Sequence, residues 1–132
     1  MPYQFNQVIK VNPRYAHAYN NLAAIYASSG RQEEAIVLLN KALALRPNFE
    51  AAYYNLGNIY FDYGRYDEAI EAYQHAIRLN PGYGKAYGNL VIAYYHKKEY
   101  QLAIALADKA AREGVFNQGL AEALRPYRKA GL

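Results

Sequence analysis

The chain has no cysteine, which excludes disulfides and thiolate zinc sites and leaves the redox compartment unread. Tryptophan is also absent, so the aromatic content comes from 16 tyrosines and four phenylalanines. No stretch approaches the roughly 18 continuous apolar residues of a membrane-spanning helix, so no membrane insertion is expected. Residues 1–12 lack the charged front and apolar run of a signal peptide, which leans towards the cytoplasm. Charge of one sign is likewise scarce. The net charge of +4 comes from dispersed Lys and Arg, with the only dense basic stretch at Arg125, Arg128 and Lys129. Nucleic-acid binders concentrate basic residues on one face or stripe, so a solvated surface is expected and no nucleic-acid partner.

What the chain does have is a period. Tyr19, Tyr53 and Tyr87 recur every 34 residues, and so do Leu22, Leu56 and Leu90, and Tyr26, Tyr60 and Tyr94. Ala35, Ala69 and Ala103 keep the same interval, as do Ala42, Ala76 and Ala110. A period this long with two helical stripes per unit means stacked helical hairpins, not one closed core.

The middle unit carries the logic. Tyr53, Leu56, Tyr60 and Phe61 form a helical stripe, and Gly64 ends that helix. Asp67 and Glu68 open a second helix, where carboxylates suit the positive end of the macrodipole. Its inner face is Ala69, Ile70, Tyr73, Ala76, Ile77 and Leu79, and Asn80-Pro81 stops it. Applied to all three units, the pattern predicts helices at about 16–29, 33–45, 50–63, 67–79, 84–97 and 101–113.

Tyr53-x2-Leu56-Gly57-x2-Tyr60, then Ala69-x3-Tyr73, then Pro81, resembles the tetratricopeptide repeat, with Tyr where that motif usually has Trp. The resemblance implies an all-α, right-handed superhelical solenoid of antiparallel hairpins. Repeats fall at 16–49, 50–83 and 84–117. Unit three departs from the motif: Val91 stands where Ala23 and Gly57 are small, and Ala107 where Leu39 and Tyr73 are large. A swap of that kind conserves volume, which cores tolerate.

The ends differ. Tyr3-Gln4 to Asn12-Pro13 aligns with Tyr73-Gln74 to Asn80-Pro81, allowing a slip near its start, so residues 1–15 read as the second helix of a partial repeat. Phe5, Val8 and Ile9 are expected to pack on unit one and leave an end surface able to meet another chain. Residues 118–132 read as a capping helix, with Leu120, Leu124 and Tyr127 on one side.

No catalytic constellation stands out, so the chain reads as no enzyme and implies no cofactor. His17, His75 and His96 lie in different units without a metal-binding partner, so no metal site is expected. The informative polar residues are Asn21, Asn55 and Asn89, again 34 apart on the first helix of each unit. By resemblance that helix lines the concave groove, and a carboxamide can pair with both the N–H and the C=O of a peptide. The same face is expected to present His17 and Asn20 from unit one; Tyr54, Asn58, Phe61 and Asp62 from unit two; and Lys85, Tyr95 and His96 from unit three. One subgroup of the family, the chaperone-tail clamps, grips a C-terminal carboxylate with Lys and Asn, then Asn, then Lys and Arg. Lys85 and Asn55 fit that pattern, but Asn20, Ala24 and Asn89 replace the rest, so a carboxylate clamp is disfavoured. The asparagine series is more similar to the peptide-binding superhelices attached to sugar-transferring enzymes.

The leading expectation is a protein-interaction scaffold holding an extended peptide segment of a partner protein in its groove. Two other readings stand beside it: a structural module that self-associates through exposed repeat ends into homo-oligomers, and the substrate-presenting fragment of a larger enzyme.

Overall fold

The computed structural model describes residues 14–115. Six helices follow one another: α1 (Tyr15–Ser28), α2 (Gln32–Leu45), α3 (Glu50–Asp62), α4 (Tyr66–Leu79), α5 (Gly84–His96) and α6 (Tyr100–Arg112). Every boundary lies within one residue of the sequence expectation, and no strand occurs among the described residues. The expected partial repeat at 1–15, with its packing of Phe5, Val8 and Ile9, falls outside the described residues apart from its last two positions, and Tyr15 already belongs to α1. The capping helix at 118–132 also lies outside them.

Each pair of helices forms a hairpin. Each first helix also touches the first helix of the next hairpin, so α1 contacts α3 and α3 contacts α5. Buried residues divide into clusters that chain along the stack. One joins units one and two through Tyr19, Leu39, Phe49 and Ile59. Another joins units two and three through Ile70, Tyr73, Leu90 and Ala93, and the last fills unit three around Tyr87 and Val91. Contacts thus run from neighbour to neighbour, as a helical repeat solenoid requires. Of the repeating tyrosines, Tyr19 and Tyr87 are buried. Tyr53 is only half-buried, and its ring stacks on His75 at 4.7 Å.

Within each hairpin the two helices approach through a small residue facing a large one. Gly57 is the tightest case: a Cβ there would lie 2.5 Å from a ring carbon of Tyr73. Ala23 and Leu39 are both fully buried in one cluster. In unit three the sizes reverse, and buried Val91 packs with Ala107. The volume exchange read from the sequence is therefore physical.

The carboxylates Glu33, Glu34, Asp67 and Glu68 lie in first helical turns, as the sequence implied. Among the described residues no helix has a side-chain cap hydrogen bond. Instead Glu34 pairs with Arg31, and Glu68 with Arg65, each three residues apart. Both guanidinium groups also sit over a tyrosine of the preceding helix, Tyr26 and Tyr60, at 4.2 and 5.1 Å. Asp67 pairs with Lys97, which ties the start of α4 to the end of α5.

The tight turn inside each hairpin needs one left-handed residue. Gly30 and Gly64 supply it with φ of 81° and 76°. Unit three has Lys98 there, held at φ 64°. A residue with a Cβ in this region costs about 1–2 kcal/mol, so Lys98→Gly is expected to stabilise the domain by about 1 kcal/mol. Urea denaturation checks this, with a raised midpoint and an unchanged slope as the expected result.

Candidate functional site

Two clefts open on the face built by the first helices. The larger, about 370 Å³, lies between α3 and α5 and is lined by Asn58, Phe61, Asp62, Tyr73, Asn89 and Ile92. The second, about 260 Å³, lies between α1 and α3, and Ala24, Ala27, Ser28, Asn55, Asn58 and Asp62 contribute to its lining. The clefts are the same feature one repeat apart. Ala24 corresponds to Asn58, Ser28 to Asp62, Asn55 to Asn89, and Asn58 to Ile92. Asn58 and Asp62, one helical turn apart on α3, form the ridge between them.

The asparagines do more than face solvent. Asn55 is half-buried, and its Nδ2 donates to Oδ1 of Asn20 at 2.8 Å. Asn89 Nδ2 donates to Oδ1 of Asn58 at 2.8 Å and reaches the Tyr54 hydroxyl at 3.3 Å. The Tyr73 hydroxyl donates to Asn58 Oδ1 at 2.6 Å. The Asn55 and Asn89 bonds brace repeat two against repeat one and repeat three against repeat two, while the Tyr73 bond lies within repeat two. One amide N–H of Asn55 and the amide of Asn89 are thereby engaged inside the protein, while both side chains still line a cleft. Asn21 differs: it is exposed and lines neither cleft.

The other expected residues divide. Asn58, Phe61 and Asp62 line clefts. Asn20 is buried, at 8% exposure, as the acceptor for Asn55. Tyr54 is half-buried, with Tyr73 and Tyr83 rings 6.1 and 5.5 Å away. His17 lies outside both linings, where its Nε2 accepts from Arg46 at 2.8 Å and its ring meets Phe49 at 4.7 Å. Lys85 is exposed and outside both linings. Tyr95 packs edge-on against Tyr100 at 5.2 Å. His96 lies outside both linings, edge-on to Phe61 at 5.2 Å and stacked on Tyr66 at 5.4 Å. No group of His, Asp and Glu suited to a metal ion occurs among the described residues.

Three family models match the sequence in succession. Those described as "Tetratricopeptide repeat" cover residues 5–37 and 50–83, and one described as "TPR repeat" covers residues 24–62. The chain belongs to the tetratricopeptide repeat family. Family membership makes it a protein-interaction module. Among curated proteins none matches the sequence significantly. Solved structures do. A crystal structure of MamA is 31% identical with a TM-score of 0.61; the match covers 76% of this chain and 63% of that one. This tetratricopeptide domain thus spans less than two thirds of that relative. The first TPR of Spaghetti (RPAP3), solved with the HSP90 peptide SRMEEVD, is 21% identical at TM-score 0.76, covering 90% of this chain and 94% of that one. The N-terminal domain of the C. elegans stress-induced protein-1 is 19% identical at TM-score 0.74, covering 86% and 94%. At those identities the last two attest the fold alone.

One groove residue escaped the sequence reading. Tyr73 belongs to a second helix, and its alanine-rich neighbours mark it as core. Its ring is indeed buried, but it crosses over Gly57 and delivers its hydroxyl to Asn58 in the cleft. The signal was available in the pairing of a glycine on one helix with the bulkiest residue on the next.

Burial, with the neighbouring Tyr54 adding to it, raises the Tyr73 phenol well above the ordinary tyrosine value. Burial raises Tyr19, Tyr83 and Tyr87 as well. The folded state thus holds these protons more tightly than the unfolded chain, whose tyrosines titrate near 10. Stability is expected to be unaffected by these groups below about pH 10 and to fall as pH rises past it. Tyr73→Phe keeps the ring and should lessen that alkaline loss while costing about 0.5–1.5 kcal/mol at neutral pH. Chemical denaturation of both proteins at pH 7 and pH 11 checks it.

Proposed function

We propose that this chain holds an extended segment of a partner protein in the groove formed by α1, α3 and α5. The observation that carries the reading is the pair of clefts in equivalent positions one repeat apart. Neighbouring helix axes stand about 8–10 Å apart, and an extended chain advances about 3.3 Å per residue. Every third residue of such a segment would therefore meet the next cleft. Polar atoms on the ridge and apolar surface from Phe61, Ile92 and Ala24 suit a backbone that pairs with amides while side chains fill the clefts. The peptide carried by the Spaghetti domain supports the capacity of this fold to hold one.

Asn55 and Asn89 would contribute about 0.5–1.5 kcal/mol each to a bound peptide. Their replacement also removes bonds between repeats, so stability would fall along with affinity. Ala24 is the cleaner probe. It is exposed and lines the smaller cleft.

Peptides selected from a random dodecamer pool should bind Ala24→Trp at least tenfold more weakly by fluorescence anisotropy. Stability should stay within about 0.5 kcal/mol of the parent. Selected peptides that bind the variant as tightly as the parent would place the site elsewhere.

A further inference from the structure

The groove has an electrostatic sign that its repeat pattern does not require. Among the described residues Asp62 is the one charged side chain lining either cleft, and it lines both. It is exposed, and among the described residues it forms no ion pair. The nearby acids are otherwise occupied: Glu68 holds Arg65, and Asp67 holds Lys97. Asp62 is also the last residue of α3, where the helix macrodipole is negative. Its counterparts one repeat away are Ser28 and His96, so neither neighbouring repeat repeats the carboxylate.

The groove cation identified in the sequence, Lys85, lies in the first turn of α5. It stands 11 residues before His96, roughly 16 Å along the helix axis from the level of Asp62. That exceeds the screening length of about 10 Å at 0.1 M salt. Beside Asp62, Phe61 and Ile92 give the larger cleft apolar walls, and the aromatic face of Phe61 can take a cation as well.

We infer that the groove selects a segment bearing a lysine or arginine, whose cationic head pairs with Asp62 while its stem lies against Phe61 and Ile92. A long side chain with an apolar stem and a charged head matches a cleft of that composition. The net charge of +4 opposes a basic ligand, so the preference is local to the cleft. The Asp62 charge reaches the cleft floor: after burial and Tyr54, it is a further cause that raises the Tyr73 phenol. An acidic segment would meet repulsion at the ridge and, among the described residues, no cationic side chain in either cleft lining.

This inference rests on the groove reading above, and the test separates the two. Three labelled dodecamer pools are made identical except for one fixed central residue, Arg, Gln or Glu, the remaining positions being drawn from Ala, Leu, Ser and Asn. Anisotropy titrations use the parent chain, Asp62→Asn, Asp108→Asn and Ala24→Trp. Asp108 is exposed on α6, so its variant changes net charge equally at a distance from the groove.

The Arg pool should bind roughly threefold to tenfold tighter than the Gln pool, with the Glu pool weakest. Asp62→Asn should abolish the Arg advantage over the Gln pool, whereas Asp108→Asn should preserve it. Raising the salt should shrink it. Equal binding of the three pools, all lost in Ala24→Trp, overturns the charge preference and leaves the groove reading standing. Binding that Ala24→Trp does not weaken, or no binding by any pool at millimolar concentration, overturns both.

Discussion

The groove depends on the contact between Gly57 and Tyr73. Because Gly57 has no side chain, the Tyr73 ring passes over α3 instead of stopping against it. Its hydroxyl then reaches Asn58, and Asn58 also receives Asn89 from the next repeat. One missing Cβ thus connects the interior of a hairpin to the face where the clefts lie. Units one and three meet the same packing requirement with Ala23–Leu39 and Val91–Ala107, neither of which can send a hydroxyl across. The larger cleft is the one that Tyr73 itself lines.

The polar network has two roles that compete. Its amide donors hold repeat to repeat in a solenoid whose other contacts are also local. The same side chains line the surface open to a ligand. In the proposed groove, rigid asparagines would favour binding, since little side-chain freedom remains to be lost. They also tie affinity to stability, so alanine substitution at Asn55 or Asn89 confounds the two. Asp62 escapes that coupling because nothing in the described fold depends on its charge.

Much of this was legible in the sequence because a 34-residue period fixes which positions share a helix face. Helix limits, the face carrying Asn58, Phe61, Asp62 and Asn89, and the exchange of size at Val91 and Ala107 all follow from that register. The partners did not follow. Asn55 pairs 35 residues back with Asn20, and Asn89 pairs 31 residues back with Asn58. Successive helices are offset in space, so equivalent positions do not face one another, and a one-dimensional period carries no trace of the offset. Asn21 shares the register but has no described first helix before it to meet. His17 was claimed by Arg46 from the connection after α2, a contact set by where the chain turns. Lys98 shows the converse: the fold keeps the left-handed turn even where the sequence lacks its glycine.

A double-mutant cycle on the central contact tests the account most directly. Gly57→Val with Tyr73→Ala installs in unit two the pair that unit three carries as Val91 and Ala107. Overpacking in the first variant should cost at least about 1–3 kcal/mol, and the cavity in the second about 3–5 kcal/mol. If the size of one residue sets the space for the other, the double variant should be more stable than the sum of the two losses by about 0.5–3 kcal/mol. Strict additivity in urea denaturation would contradict the claim that this contact sets the spacing of the hairpin and, through it, the groove.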